Sequence, residues 1–175
     1  MAFAMKPLQS RADLINGWNN MDSIDGKKVI IGMVFIDTHA APGRILLPGG
    51  AFSSLQAEKE LQSKRMDGLI ISGCNAGHRD FPNNVAAAFA RKVECVPVIA
   101  SDGTVYSQFP DHTSCADSDF YDFVKQQKSS RTDNDGWLLY QEDESGNIVV
   151  EETGTKRISV DENGIAKLEG LLAKY

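Results

Sequence analysis

The stretch that decides the fold is Asp67-Gly-Leu-Ile-Ile-Ser-Gly-Cys-Asn-Ala-Gly-His-Arg-Asp80. Its apolar run from Leu69 to Ile71 has no alternation with polar residues and stops at Ser72, where small and polar residues begin. A short continuous apolar run that ends in such residues is typical of a buried parallel strand. Because open α/β sheets place reactive groups at the carboxyl ends of their strands, Cys74 occupies the position expected of a nucleophile.

The composition is that of an ordinary globular domain. The 175 residues are 42% hydrophobic and carry a net charge of −6. Without a basic cluster to neutralise phosphates, we expect no nucleic-acid partner. No apolar run approaches the ~20 residues that a membrane-spanning helix needs, so we expect no membrane partner. The first residues lack the order of a signal peptide and the three cysteines are scattered, which favours a cytoplasmic protein or one exported without a signal peptide.

Three apolar runs follow one another at the spacing of strand–helix–strand units. They are Val29 to Ile36, Gly68 to Ser72 and Val96 to Ala100, and helices are predicted between them at 53–64 and 83–92. Strands joined by helices favour right-handed crossovers and a parallel sheet. Because the first run is apolar throughout, we expect it to be a central strand covered on both faces.

The pattern changes beyond residue 106. Trp137 to Tyr140 and Ile148 to Val150 predict an antiparallel hairpin, and helices are predicted at 119–127 and 161–175. The expected fold class is α/β, a three-layer α/β/α sandwich with a mainly parallel sheet. We expect a single domain over 1–175, with its core at about 28–106. The extension at about 107–175 would contain the β-hairpin and the C-terminal helix.

The three core strands end in His39, Cys74 and Asp102. If the strands are parallel neighbours, these side chains share one rim of the sheet. A thiol becomes a nucleophile when a neighbouring imidazole accepts its proton. Gly73 and Gly77 flank the thiol, where we expect backbone N–H groups to face an oxyanion.

The chain resembles the caspase-like cysteine peptidases in the order of its elements. A strand that ends in histidine is followed by a helix, and then by a second apolar strand that ends in cysteine. That group includes clostripain-like enzymes and the self-cleaving domains of large bacterial toxins. The segments Leu69 to Gly77 and Val96 to Tyr106 are more similar still to caspase-like domains of bacterial surface, Rhs-type and effector-like proteins. The resemblance covers about Val29 to Tyr106 and implies the caspase-like fold, a peptide or protein substrate and a place within a larger bacterial protein.

The resemblance also implies residue roles. His39 would be the general base and Cys74 the nucleophile, and Ala40 stands where the peptidases usually have glycine. The oxyanion would be held by the backbone near Gly73, Ala40, Asn75 and Gly77. We expect Asp102, Ser101 and His78 to line the substrate site, where Asp102 either selects a basic side chain of the substrate or orients another group.

Two other functions remain open at this point. One is a binding or effector module without catalysis, in which Cys74 is a small residue packed at a strand end. The other is a metal-dependent hydrolase that uses Cys74, His78 and His39. A catalytic zinc needs three such ligands and supporting partners, and the loop that carries Cys74 and His78 is not expected to be helical. We therefore expect neither a metal nor another cofactor.

Overall fold

A computed structural model describes residues 7–94, 96–108, 120–125, 136–154, 157–160 and 166–168, so Cys95 and Cys115 lie outside the described residues. The helices are α1 (Arg11–Asn20), α2 (Ser54–Glu60) and α3 (Val85–Ala90). The first nine strands are β1 (Ser23–Ile24), β2 (Lys27–Lys28), β3 (Ile31–Asp37), β4 (His39–Ala41), β5 (Arg44–Leu47), β6 (Gly50–Ser53), β7 (Lys64–Ser72), β8 (Val93–Glu94) and β9 (Val98–Ser101). The remaining strands are β10 (Thr104–Gln108), β11 (Phe120–Lys125), β12 (Trp137–Glu142), β13 (Ile148–Glu152), β14 (Arg157–Val160) and β15 (Ala166–Leu168).

The central sheet has the strand order β13-β12-β9-β7-β3, with β8 paired to β7 beside this path. The strands β3 and β9 run parallel to β7, as the strand–helix–strand spacing predicts, and the short strand β8, which was not predicted, also pairs parallel with β7. The hairpin β12–β13 is also confirmed, and it joins the sheet antiparallel to β9. The protein is therefore α/β, but its sheet is mixed, and the expectation of a mainly parallel sheet holds only for the strands around β7.

Both faces of β7 are covered, which explains its continuous apolar run. Leu69 and Ile71 belong to a core cluster that includes residues of all three helices. Within that cluster the rings of Trp18 and Phe89 meet edge to face, with their centroids 5.0 Å apart. Ile70 faces the other way and belongs to a second buried cluster. Successive side chains of a strand point to opposite faces, so the run at 69–71 has an apolar neighbour on each side.

The second face is covered by strands. A four-stranded sheet of order β10-β11-β14-β15 contributes Val105 and Ile158 to the cluster that contains Ile70, Ile99 and Trp137. Over the described residues the layers are therefore helices, central sheet and second sheet, without the second helical layer that was expected. The helices predicted at 119–127 and 161–175 are wrong at 120–125 and 166–168, which form β11 and β15, and their remaining residues lie outside the described ranges.

The prediction that the first strand is central is wrong. β3 lies at one end of the strand order described for the central sheet. Near and within it, Ile30 is 95% exposed and Met33 is 41% exposed. The expectation rested on composition alone, and an apolar run does not specify which strands lie beside it.

The helices after β6 and β7 begin at capping residues. Ser53 caps α2 and forms a reciprocal capping box with Gln56, and Asn84 caps α3 by accepting the Ala87 N–H. α2 is shorter than the 53–64 predicted, because the backbone is already extended at Leu61, and Lys64 belongs to β7. No helix among the described residues is long and apolar enough to cross a membrane.

Candidate active site

The ends of β3, β7 and β9 lie side by side, as the sequence predicted. The parallel register of β3 and β7 continues to the pair Asp37 and Ser72, and the Thr38 N–H then donates to the Ser72 carbonyl at 2.9 Å. Two residues further along each chain are His39 and Cys74. Neighbouring strands are about 4.8 Å apart. The register therefore directs His39 and Cys74 to the same rim of the sheet.

The two loops that carry these residues touch at Gly73. A Cβ atom built on Gly73 would lie 2.7 Å from the Cβ of Ala40 and 2.9 Å from the carbonyl oxygen of Thr38. Real Cβ atoms do not approach other atoms so closely. Glycine at position 73 thus allows the chain on each side of His39 to pack directly against the chain that precedes Cys74.

Cys74 is a free, partly exposed thiol in the turn that follows β7. Its Sγ lies 3.9 Å from the carbonyl oxygen of Val105, a weak contact. His39 is exposed at the start of β4. Within the described residues its side chain makes no hydrogen bond, to Cys74 or to any other group. The structure brings the two loops together, but it does not join the two side chains.

The turn that carries Cys74 is fastened to the end of β9. The Asn75 N–H donates to the Gly103 carbonyl at 2.7 Å, and the Gly77 N–H donates to the Ser101 carbonyl at 2.8 Å. The buried Ser101 hydroxyl donates to the Gly73 carbonyl. The Asn75 and Gly77 amides are therefore occupied, contrary to the oxyanion role expected of them. Ser101 ties two loops together and, because it is fully buried, does not line a substrate site.

Asp102 and His78 form a pair that the sequence analysis did not predict. The Nδ1 of His78 lies 3.0 Å from the Oδ1 of Asp102, and the Arg79 N–H donates to the same oxygen at 2.9 Å. The Asp102 side chain is 0% exposed, whereas that of His78 is 27% exposed. Asp102 thus cannot bind a basic side chain of a substrate, and that expectation is wrong. A carboxylate at Nδ1 makes that nitrogen the donor and leaves Nε2 as the acceptor.

Two buried residues support this loop and were missed by the sequence analysis. The Tyr140 hydroxyl donates to the Gly77 carbonyl at 2.7 Å and accepts from the Asn84 amide at 3.1 Å. The same amide donates to the His78 carbonyl at 3.1 Å. Asn84 carried a sequence signal, because an asparagine directly before a helical pattern is a typical helix cap. Tyr140 carried none, because its place depends on the register of β12 against β9.

The site offers a thiol, two imidazoles and one buried carboxylate. Among the described residues, no group of three His, Cys, Asp or Glu side chains is arranged to hold a metal ion. A thiol and an imidazole are the groups that enzymes use for nucleophilic attack with proton transfer.

Comparisons with protein-family models, with curated proteins and with solved structures found no match to this chain.

Proposed function

We propose that the protein is a cysteine-dependent hydrolase of peptide bonds, with Cys74 as the nucleophile and His39 as its proton acceptor. The observation that carries the proposal is the register of β3 and β7, which runs through Asp37 and Ser72 toward these two side chains. The close approach of Gly73 to Ala40 supports it, because the loops are still in contact one residue from each reactive group. Hydrogen bonds of a catalytic pair are often long in a free enzyme and shorten only when substrate binds.

The backbone of Ala40 supports an oxyanion site beside the thiol. β4 and β5 form a hairpin in which Ala41 pairs with Arg44 and Ala40 with Ile45. Hydrogen-bonded and non-hydrogen-bonded pairs alternate along an antiparallel ladder. Because the pair that closes a two-residue loop is hydrogen-bonded, the Ala40 N–H points away from β5. That nitrogen lies 3.6 Å from a Cβ built on Gly73, so it is close to the loop that carries Cys74.

The proposed reaction has two halves. The Cys74 thiolate adds to the carbonyl carbon of the substrate, the Ala40 N–H donates to the developing oxyanion, and the C–N bond breaks as His39 delivers the thiol proton to the leaving amine. The product is a thioester on Cys74. Water then adds to the thioester carbonyl, the C–S bond breaks, and the acid is released with the thiol restored.

The roles given to Cys74 and His39 are those implied by the resemblance to caspase-like peptidases. We also assign the chain to a caspase-like domain of a larger bacterial protein, acting either in the cytoplasm, where Cys74 stays reduced, or after export. A binding or effector module is the second candidate, because the His39 side chain makes no hydrogen bond with the thiol among the described residues. In that case the same rim would hold a peptide without cleaving it.

The test compares the alkylation of Cys74 in the wild type, in His39→Ala and in the control Leu46→Ala. Leu46 pairs with His39 across the same hairpin and is also exposed. Iodoacetamide is added at pH values from 5.5 to 9.5, and mass spectrometry follows the peptide that contains Cys74. If the dyad forms, we expect rapid alkylation near neutral pH and a loss of at least about tenfold at pH 7 in His39→Ala only.

Alkylation that rises only near pH ~8.5, unchanged by His39→Ala, would contradict the dyad. A screen of peptide mixtures then separates the remaining candidates. Cleavage that is lost in Cys74→Ser supports the hydrolase. Peptide binding that survives Cys74→Ser, without cleavage by the wild type, supports the binding module.

A further inference from the structure

We propose that His78, held by Asp102, is a second proton acceptor of the site and acts on the water that hydrolyses the Cys74 thioester. This inference rests on the proposed function and adds two residues to it. His78 would be a catalytic residue and Asp102 a positioning residue. Neither has this role in the dyad inferred from the sequence, where both belong to substrate binding.

Asp102 holds the His78 imidazole through its Nδ1. That nitrogen lies 3.0 Å from an Asp102 carboxylate whose side chain is 0% exposed, and the ring itself remains 27% exposed. The buried carboxylate also accepts the Arg79 N–H at 2.9 Å, so it is fixed by the backbone of the same loop. In the neutral tautomer that donates from Nδ1 to the carboxylate, Nε2 is free to accept a proton, and the carboxylate stabilises the imidazolium that forms.

The pair of His78 and Asp102 lies at the strand end next to the one that carries Cys74. The strand order β9-β7-β3 puts Cys74 on the middle strand end, His39 on one side and Asp102 on the other. His78 follows Cys74 in the same loop, and the Asn75 and Gly77 amides fasten that loop to residues on either side of Asp102. Cys74 therefore lies between the strand end that leads to His39 and the strand end whose Asp102 binds His78, and of the two imidazoles only that of His78 has an orienting carboxylate among the described contacts.

The two halves of the reaction need a proton at different places. In the first half the amine must be protonated as it leaves, which the proposal gives to His39. In the second half His78 Nε2 removes a proton from water as the water oxygen bonds to the thioester carbon. The C–S electron pair then returns to Sγ of Cys74, and the proton on His78 passes through solvent to this thiolate, which restores the thiol. Such base catalysis contributes about 10²- to 10⁴-fold to a rate.

The experiment uses p-nitrophenyl acetate, a small activated ester that transfers its acetyl group to a reactive thiol. Nitrophenolate release measures acylation, and mass spectrometry follows the acetyl group on Cys74 to measure its hydrolysis. The variants are His78→Gln, Asp102→Asn and the control Arg79→Ala, which leaves both members of the pair and the Arg79 N–H in place. We expect acylation to remain within about threefold while hydrolysis slows by about 10²-fold in His78→Gln and at least tenfold in Asp102→Asn.

A spectroscopic measurement separates catalysis from a purely structural role. Nitrogen-15 spectra of labelled histidine should show His78 protonated at Nδ1 in the wild type and a mixture of tautomers in Asp102→Asn. Added imidazole should restore thioester hydrolysis to a His78→Ala variant. Acetyl-Cys74 that forms and hydrolyses at the wild-type rate in His78→Gln would overturn this inference alone. A wild-type protein that is never acylated at Cys74 would overturn the proposed function as well.

Discussion

The hydroxyl of Tyr140 donates a hydrogen bond of 2.7 Å to the carbonyl of Gly77. This bond ties β12 to the loop that carries both Cys74 and His78. Gly77 is itself packed closely, since a Cβ on it would lie 3.0 Å from both the Cβ of Ala100 and the ring of Tyr140. The loop of the candidate site is therefore held in place by β12, an antiparallel strand that does not contribute a reactive group.

Tyr140→Phe should destabilise the fold. The substitution leaves the Gly77 carbonyl buried without its side-chain donor and removes one acceptor of the Asn84 amide. An unsatisfied buried polar group costs about 1–3 kcal/mol, so the free energy of unfolding should fall by about that amount in urea titrations. Ser63→Ala removes an exposed hydroxyl and should change it by less than about 0.5 kcal/mol. Equal effects of the two substitutions would contradict the role given to Tyr140.

Gly73→Ala should both destabilise the protein and change the reactivity of Cys74. The new Cβ would meet Ala40 and the Thr38 carbonyl at distances that force the two loops apart. Overpacking of this kind costs about 1–3 kcal/mol. Since the His39 segment would move relative to Cys74, iodoacetamide alkylation at pH 7 should slow as it does in His39→Ala.

Gly17→Ala is the matched control for this prediction. Gly17 lies within α1, and a Cβ there would have nothing within 4 Å. Alanine is the better helix former, so the free energy of unfolding should rise by about 0.5–1 kcal/mol while alkylation stays unchanged. A Gly73→Ala protein as stable and as reactive as Gly17→Ala would show that the loops at the strand ends are not in close contact.

The centre of the fold could be predicted from local sequence. β7 is a short apolar run, because Leu69 and Ile71 face helices while Ile70 faces the second sheet. The parallel arrangement followed from the spacing of strands and helices. The exposure of β3 could not be predicted from its own residues, because it depends on which strands lie beside it. The residues at 120–125 form a strand because they pair with β10 and β14, and such long-range pairing overrides a local helical pattern.

The sequence predicted which residues of the candidate site lie at the strand ends, but not the contacts that their side chains make. Sequence order and parallel pairing are enough to bring His39, Cys74 and Asp102 to one rim. They do not determine that the Asp102 side chain turns inward to His78 instead of outward to a substrate. The supporting bond of Tyr140 depends on its alignment with Val98 across an antiparallel pair, and no residue pattern specifies that register.

The pair of Lys64 and Asp22 should make stability depend on pH in the acid range. The buried Lys64 Nζ lies 2.6 Å from the Asp22 carboxylate and donates to the Asn19 carbonyl at 2.8 Å, which joins β7 to the end of α1. The hydrogen bond from Lys64 is the main cause that lowers the pKa of Asp22 below its ordinary value of 3.8. A carboxyl whose pKa is lower in the folded state stabilises the fold above the unfolded value, and this contribution is lost as the pH falls through the folded value.

Asp22→Asn should therefore be less stable than the wild type at pH 7, and the difference should shrink as the pH falls below about 4. Urea titrations between pH 2.5 and 7 measure the free energy of unfolding of both proteins across this window. Asp25→Asn is the control, because this substitution removes the same charge at an exposed residue. Asp25 has a φ of 50°, which asparagine tolerates. Its difference from the wild type should stay small at every pH. A stability gap for Asp22→Asn that is constant from pH 7 to 2.5 would show that the ion pair with Lys64 does not stabilise the folded state.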